Sequence, residues 1–569
     1  MRNNRLAWRR ATTTCCLLAA LAVLMALRPV DAQTTPNAGQ ALRESAVTPA
    51  PAAPAAPALA LPVAPSATPA APADTGPSFV LQQVSFSGNT VFDDATLTAL
   101  LADRIGTRVR FGELQALALR ITAHYQQAGY VLAQAILPAQ ELTAGRVQLS
   151  IVEGRLAQVR IERLSTIRVP ESAIAQALAP LEVGLPLRQQ ALERSMLLLG
   201  DLPGMTPQSA LEPGIVPGTF DLIVELDAAP RVLASVDLDN YGSRATGHYR
   251  AGAMVRLVSP LALGDNLDMR VLHTLGTGLA FGRIGYELPL GTTGLRAGLA
   301  LSRVSYELGS NLAALGASGR AEVGELTLNY PLLRSRTRNL FVRVGIEHKK
   351  LSDDIKVIEQ AARKTVRTTS AGLLYEGRDG LGGGGFSNLG ITAYAGHLAI
   401  DSAPDLARDQ AANGLRTVGD FVRVSYQASR LQALSGPFSA FVGASGQWAS
   451  DNLDSAEKIA IGGPAAVRAY SSSAGIGDEG QVLSTELRWA VTPQGSASLF
   501  HDLGRVRFSH VPLAGTDNHR TLRGVGVGLF WQFDGGLTLR SSVAWRLGGA
   551  DQDGENRSPR LVAQLSRSL

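Results

Sequence analysis

Residues Gly524–Leu547 read GVGVGLFWQFDGGLTLRSSVAWRL. Val525, Val527, Leu529, Trp531 and Phe533 alternate with Gly524, Gly526, Gly528 and Gln532. Beyond Asp534-Gly535, Leu537, Leu539, Val543, Trp545 and Leu547 alternate with Thr538, Arg540, Ser542 and Arg546. A period of two marks a strand with unlike faces, and Asp-Gly between two such runs marks a tight hairpin turn. The stretch predicts two long antiparallel strands, apolar on one side and polar or glycine on the other.

Working outward, the same period reaches back to Pro230. Val342, Val344 and Ile346 alternate with Phe341, Arg343 and Glu347, and Leu483, Thr485, Leu487, Trp489 and Val491 with Ser484, Glu486 and Arg488. Arg256, Asp268, Arg270, Arg343, Glu486, Arg488, Arg540 and Arg546 all keep to the polar side. Runs of about ten or more residues recur about every 21, giving about 16 strands, as transmembrane barrel strands require. A charge facing lipid at the midplane costs roughly 2–4 kcal/mol, so a nearly charge-free apolar face favours an outer-membrane barrel over a soluble sandwich or propeller. No apolar run after residue 32 approaches the roughly 18 residues of a membrane-spanning helix.

The chain opens as a signal peptide over residues 1–32. Arg2 to Arg10 form a basic region, Cys15 to Leu27 a short apolar one, and Val30-Asp31-Ala32 a small-residue site for cleavage before Gln33. Five arginines against one aspartate in that segment account for +4 of the formal charge of +5, so nothing favours a nucleic-acid partner. Both cysteines, Cys15 and Cys16, fall inside it, which argues against disulfide, zinc-thiolate or thiol-nucleophile chemistry in the mature chain. Residues 33–76 are dominated by Ala and Pro and read as a semi-extended linker. Only Gly39–Ala46 suits a helix there, and it is too short to be stable alone.

Two compact modules follow, at 77–154 and 155–228. In the first, Phe79 to Phe86 reads as a strand and Asp93 or Asp94 caps a helix bearing Leu97, Leu100 and Leu101. A second helix aligns Leu114, Leu117, Ala118, Ile121 and Tyr125, and Gly129 stops it. Strands at Tyr130–Leu137 and Arg146–Val152 complete the order β-α-α-β-β. The order repeats more loosely in the second module: a strand at Leu156–Ile161, a helix near Glu171–Ala179, a helix with Leu192, Ser195, Met196 and Leu199 on one face, and a strand at Thr219–Leu226.

Inside the barrel half (229–569), Ile461–Gly480 is a long glycine-rich interruption between strands, and such loops are usually functional. We read the loop 451–480 as folding back into the pore, with Arg468 anchored to the wall. Asp502 shares parity with Ser498 and Phe500, opposite Leu499 and Leu503, so it points inward; on spacing alone Arg468 and Asp502 read as two solvated lumen charges more readily than as a pair. Past Gly504, Arg505 and Arg507 fall on the lipid-facing parity, which predicts that the strand leaves the membrane or bulges there.

Several short motifs resemble the two-partner secretion transporters, the TpsB family. Gly129-Tyr130, Ile136-Leu137-Pro138-Ala139-Gln140, Gly145 and Val152-Glu153-Gly154-Arg155 resemble that family's first POTRA domain. Leu238–Ser243, Thr246-Gly247 and Leu263-Gly264-Asp265 resemble the opening of its barrel. Val467-Arg468-Ala469-Tyr470 is similar to its Val-Arg-Gly-Tyr loop motif, and Phe500-His501-Asp502-Leu503-Gly504 to its aspartate-bearing strand. The resemblance implies α+β POTRA modules in the periplasm followed by an all-β barrel of 16 antiparallel strands in outer-membrane lipid. It implies a monomeric pore that exports a large TpsA-like partner, of adhesin or haemolysin type, which the POTRA domains capture unfolded, and a lumen loop whose Arg468 pairs with Asp502 on the wall. An insertase of the same superfamily, usually with more POTRA modules, is the alternative; a solute porin has no use for two periplasmic modules.

The chain departs from the family at Ala469, where the motif has Gly, and at Leu569, where bacterial barrels commonly end in Phe. Gly39–Ala46 is the sole candidate for the family's plug helix, which leaves a plug unexpected. Gly524–Gly528 lies within a strand and is not a nucleotide loop, no metal motif or Ser/His/Asp constellation appears, and His501 points away from Asp502's face. The reading is of a non-enzyme without cofactor.

Overall fold

The computed structural model describes residues 36–46, 78–141, 143–276, 278–291, 293–548 and 558–569. The expected signal peptide, and all of the linker except residues 36–46, lie outside the described residues. Sixteen strands close into a barrel in which every strand pairs antiparallel with its sequence neighbour. The first, Val232–Asp239, and the last, Arg560–Ser568, seal the ring from Ser235↔Ser568 to Asp239↔Gln564. Strand lengths run from 8 residues at Val232–Asp239 to 20 at Gln360–Asp379.

The alternation reads out as expected. Leu299, Leu326 and Ile346 are exposed cross-strand neighbours on the outer wall, whereas Phe500, Asp502, Leu522 and Ala544 are buried on the inner one. The strand Gly495–Arg507 pairs with His519–Gln532 in unbroken register, so no bulge follows Gly504. Arg505 and Arg507 stay on the outer parity at the strand's last turn, and Arg507 bonds Glu479 beside the loop mouth.

In the first module a three-stranded sheet has Arg146–Val152 at its centre, parallel to Gln83–Ser87 and antiparallel to Gln134–Ile136. The helices Asp94–Ala99 and Phe111–Gln127 bury Leu97, Leu114, Leu117, Ile121 and Tyr125 against it. Asp93 is the N-cap, accepting from the Thr96 amide at 2.9 Å. Two strands are shorter than their sequence suggests. Phe79–Phe86 divides into Phe79–Val80, paired with Arg108–Val109, and Gln83–Ser87; Tyr130–Leu137 contracts to Gln134–Ile136. Tyr130 instead packs its ring against Phe92 and Tyr125.

The second module centres on Thr219–Ala228, parallel to Arg155–Arg163, under the helices Glu171–Leu178 and Gln189–Gly200. Its third strand, Met205–Pro213, carries Pro207 and Pro213 and stands at a sheet edge, where missing donors are tolerated. Those prolines hide it from a periodicity reading. The module is tied to the turns at one end of the barrel. Asp201 takes both Nε (2.9 Å) and Nη2 (2.7 Å) of Arg334, and Arg168 donates to the Pro260 carbonyl at 2.9 Å.

Candidate functional site in the pore interior

The loop enters the lumen as a narrow hairpin: Ile459–Ala460 pairs antiparallel with Ile476–Gly477. Inside it the Val467 amide donates to the Ile461 carbonyl at 3.0 Å, and the Gly463 amide to the Tyr470 carbonyl at 3.1 Å. Gly463 holds a φ of +104° against Ser472, a backbone only glycine adopts without strain. Ile461, Val467, Ala469, Tyr470 and Ala474 are thereby buried against Val482, Phe500, Val506, Leu522 and Ala544 of the wall.

Between these apolar residues Arg468 turns to the wall, as its sequence position predicts. Its Nε donates to Oδ2 of Asp502 at 2.9 Å, its Nη2 to Oδ1 at 2.8 Å, and its backbone amide to Oδ2 at 3.1 Å. Nη1 donates to Oε1 of Glu486 at 2.8 Å, and the guanidinium carbon lies 3.4 Å from the centre of the Phe500 ring. Ser484 donates to Asp502 Oδ1 at 2.7 Å, and Arg488 holds the other oxygen of Glu486 at 2.8 Å. Glu486 and Ser484 as ligands of Arg468 were not evident in the sequence, although both have inward parity. The signal is cross-strand: Ser484 stands opposite Asp502, and Glu486 opposite Phe500.

Wall glycines make room for the loop. A Cβ on Gly504 would stand 2.9 Å from Val467 Cγ2, and one on Gly524 2.8 Å from Ala469 Cβ. One on Gly526 would meet the Phe500 ring at 2.3 Å. Ala469 itself has no positive φ, so the departure from Gly in the motif costs the backbone nothing; its methyl fills the space above Gly524.

A second set of anchors crosses the lumen. Glu457, fully buried, accepts from Lys349 Nζ at 2.6 Å and Arg423 Nε at 2.9 Å, and Asp454 accepts from Lys364 at 2.7 Å. Packed on this part of the loop is the helix Ala38–Ala46, so the expectation that no plug would form is corrected. Its stability is tertiary. Asn37 caps it through the Gln40 amide (3.1 Å), the Ala38 amide donates to Asp353 (2.7 Å), and Arg250 Nη1 donates to the Glu44 carbonyl (2.7 Å). Thr246 bonds the Glu44 carboxylate at 3.0 Å, while Arg250 also grips Asp239 through Nε at 2.8 Å. Gly39 lies so close to the loop that a Cβ there would stand 2.5 Å from the Ala456 nitrogen. Ala38, Ala41, Val304, Val366 and Leu453 share one apolar cluster, which joins plug, wall and loop.

The sequence profile of the family described as haemolysin secretion/activation protein ShlB/FhaC/HecB matches residues 218–531, and that of the ShlB-type POTRA domain matches 79–154. The chain belongs to this haemolysin secretion/activation family. It is 26% identical over 480 residues to the heme/hemopexin transporter protein HuxB of Haemophilus influenzae, covering 82% of this chain and 84% of that one. It is 25% identical over 427 residues to the outer membrane transporter CdiB of Escherichia coli O6:K15:H31, covering 73% and 70%. Its fold is that of CdiB from Escherichia coli (TM-score 0.70, 22% identity, 89% of this chain and 93% of that one). It is also similar to BamA from Haemophilus ducreyi lacking POTRA domains 1–3 (TM-score 0.51, 14% identity, 86% and 100%). This TpsB transporter is therefore an outer-membrane pore of two-partner secretion with periplasmic POTRA domains.

The motif residues of the transporter's first POTRA domain are structural hinges of the module. Gly129 (φ +92°) ends the long helix, and its carbonyl receives the Gln189 amide of the second module at 2.9 Å. The Arg188 guanidinium sits 5.7 Å over the Tyr130 ring at the same junction. The Pro138 carbonyl receives Gln140 Nε2 at 3.3 Å; the Gln140 amide group also donates to the Gln148 carbonyl and accepts from its amide, both at 2.7 Å. It thus stands in for a strand beyond Ile136. Gly154 (φ +72°) passes Leu132 so closely that a Cβ would lie 2.5 Å from Leu132 Cβ. Beside it Glu153, 4% exposed, accepts from the Val91 amide at 2.8 Å and Tyr125 Oη at 3.1 Å, and from the Thr90 amide and hydroxyl. Burial opposes its ionisation, but those hydrogen bonds outweigh burial and hold its carboxyl below the ordinary value. Burial, with the Glu153 charge alongside, raises the Tyr125 phenol.

Proposed function

We propose that the loop and the plug together keep this transporter's pore shut at rest, and that Arg468 is the latch which sets where the loop returns. The observation that carries this reading is one guanidinium tied to two wall carboxylates on neighbouring strands, Asp502 and Glu486. An ion pair of that kind is directional, and removing one partner from a buried pair costs about 3–5 kcal/mol, enough to free a loop. The cargo is a single large secreted protein of adhesin or haemolysin type. Its unfolded chain adds as a strand to the POTRA sheets, where Gln83–Ser87 has a neighbour on one side only. Export needs no nucleotide, no cofactor and no enzymatic step, and one barrel acts as a monomer.

The test asks whether the neighbouring reading frame encodes a large, repeat-rich secreted protein, and co-expresses that protein with and without the transporter. Appearance of that protein in the medium only with the transporter supports the reading. Equal release without it removes the assignment of cargo. An insertase role would show instead as loss of several unrelated barrels from the outer membrane when the transporter is deleted.

A further inference from the structure

The outer wall carries a row of basic side chains above its apolar belt. His348, Arg367, His397 and Asp420 are successive cross-strand neighbours on four adjoining strands, and Lys350 lies diagonal to Arg367. All share the parity of Ile346, Thr369, Ala395 and Val422, which line a groove of about 640 Å³ directly beneath Arg367 and His397. The groove therefore has a largely apolar floor and a polar rim, with Arg367 and His397 on one side and Asp420, Ser450 and Asp451 on the other.

The height of the rim follows from the strands. Between Asp379 and Arg367 the outward residues are Gly377, Tyr375, Leu373, Ala371 and Thr369, and between Arg430 and Asp420 they are Ala428, Tyr426, Val424 and Val422. At roughly 3.3 Å per residue and a tilt of about 40°, these uncharged spans rise about 25–30 Å, the thickness of a barrel's apolar band. Arg430 pairs with Asp379 at 2.8 Å at the lower, POTRA-side boundary. The row at Arg367 marks the opposite boundary, on the cell surface.

The acidic residues nearby are engaged elsewhere. His397 meets Asp420 at 2.7 Å, Asp451 accepts from the Ser450 hydroxyl at 2.5 Å, Glu322, directly across from Lys350, lies within 3.7 Å of Arg303 and 4.0 Å of Arg320, and Asp354 takes Arg363 at 3.0 Å. Arg367 and Lys350 have no hydrogen-bond or ion-pair partner among the described residues, and both are exposed. Two unpaired cations side by side on a sheet face repel each other unless an anion lies between them. We infer that this groove binds a phosphorylated glycolipid of the outer leaflet, its phosphate on Arg367 and Lys350 and an acyl chain over Ile346, Ala395 and Val422. An amphiphile with its anionic end toward the cell surface matches Arg367 and Lys350 on this side of the rim and the apolar floor beneath them.

The test uses the full chain purified in detergent and titrated with bisphosphoryl lipid A, dephosphorylated lipid A or phosphatidylglycerol, with bound lipid counted by native mass spectrometry. Bisphosphoryl lipid A should bind in preference to the other two. The double variant Lys350→Gln/Arg367→Gln should bind it about tenfold or more weakly, since each cation near an anionic surface contributes about 1 kcal/mol. Heat-modifiable migration confirms the barrel, and Lys350→Arg/Arg367→Lys should retain binding. Equal binding by the Gln variant and the wild type overturns the site. Equal binding of dephosphorylated lipid A or of phosphatidylglycerol overturns the phosphorylated glycolipid as occupant.

Discussion

Arg468 closes on Asp502 with three donors, two from its guanidinium (2.9 and 2.8 Å) and one from its own backbone amide (3.1 Å). The backbone contact matters because it fixes where the chain of the loop lies, while the guanidinium fixes only the side chain. Asp502 is fully buried, so its charge is compensated by Arg468 and Ser484 and not by water.

Asp502→Ala should abolish most secretion while a heat-modifiable barrel remains in the outer membrane, because the strand ladder does not depend on that side chain. Leaving Arg468 with only Glu486 and Ser484 costs about 3–5 kcal/mol of loop anchoring. Arg468→Ala should behave alike, and Glu486→Gln more mildly, since Asp502 keeps two donors of the guanidinium. Normal secretion from both Ala variants would remove the latch.

A steric test isolates the loop's seat from its charges. Gly524→Ala places a methyl 2.8 Å from Ala469 Cβ, closer than van der Waals contact, so loop and wall must part and secretion should fall. Adding Ala469→Gly removes that atom, after which the nearest neighbour of the new methyl is the Trp545 carbonyl at 3.4 Å. The double variant should regain most of the loss in a secretion assay. Two independent defects that simply add would show that the two methyls do not meet.

The meeting of Arg468 with Asp502 is legible only in part from residues: strand parity aims Asp502 inward, but spacing alone suits two solvated lumen charges as well, and the Val467–Tyr470 and Phe500–Gly504 motifs are what join them. The helix Ala38–Ala46 is legible only as a short candidate, since the Asn37 cap and the Gln40–Glu44 bond are too little to hold nine residues; Arg250, Asp353 and Thr246, two hundred and more positions away, hold it in place. Its charges, Arg43 and Glu44, stand out in a segment dominated by Ala and Pro. Glu486 reads as one more lumen charge until the register sets it beside Phe500, and Met205–Pro213 is obscured by its prolines.

Gly39→Val should unseat the plug. Its backbone approaches the Ala456 nitrogen too closely for any side chain, a Cβ standing 2.5 Å away, and the helix is too short to survive in part. Purified variant in planar bilayers should show larger and steadier conductance than wild type. Conductance at the wild-type level, with the barrel intact, would mean that the helix does not obstruct the pore.

Glu153 ties the first POTRA domain's helix and loop to its last strand, and its folded carboxyl lies below the ordinary value. A depressed carboxyl contributes stability above its unfolded pKa of about 4.3 and loses it as pH falls through the folded value. Amide exchange over residues 79–154 of the full chain, corrected for intrinsic rates, should therefore speed up as pH drops below about 4.3. Glu153→Gln should exchange faster already at neutral pH, by roughly 2–3 kcal/mol of lost protection, because hydrogen bonds to a charged acceptor are the stronger ones. It should also lose the pH dependence. A variant that keeps the wild-type acid transition would place that transition on another carboxylate.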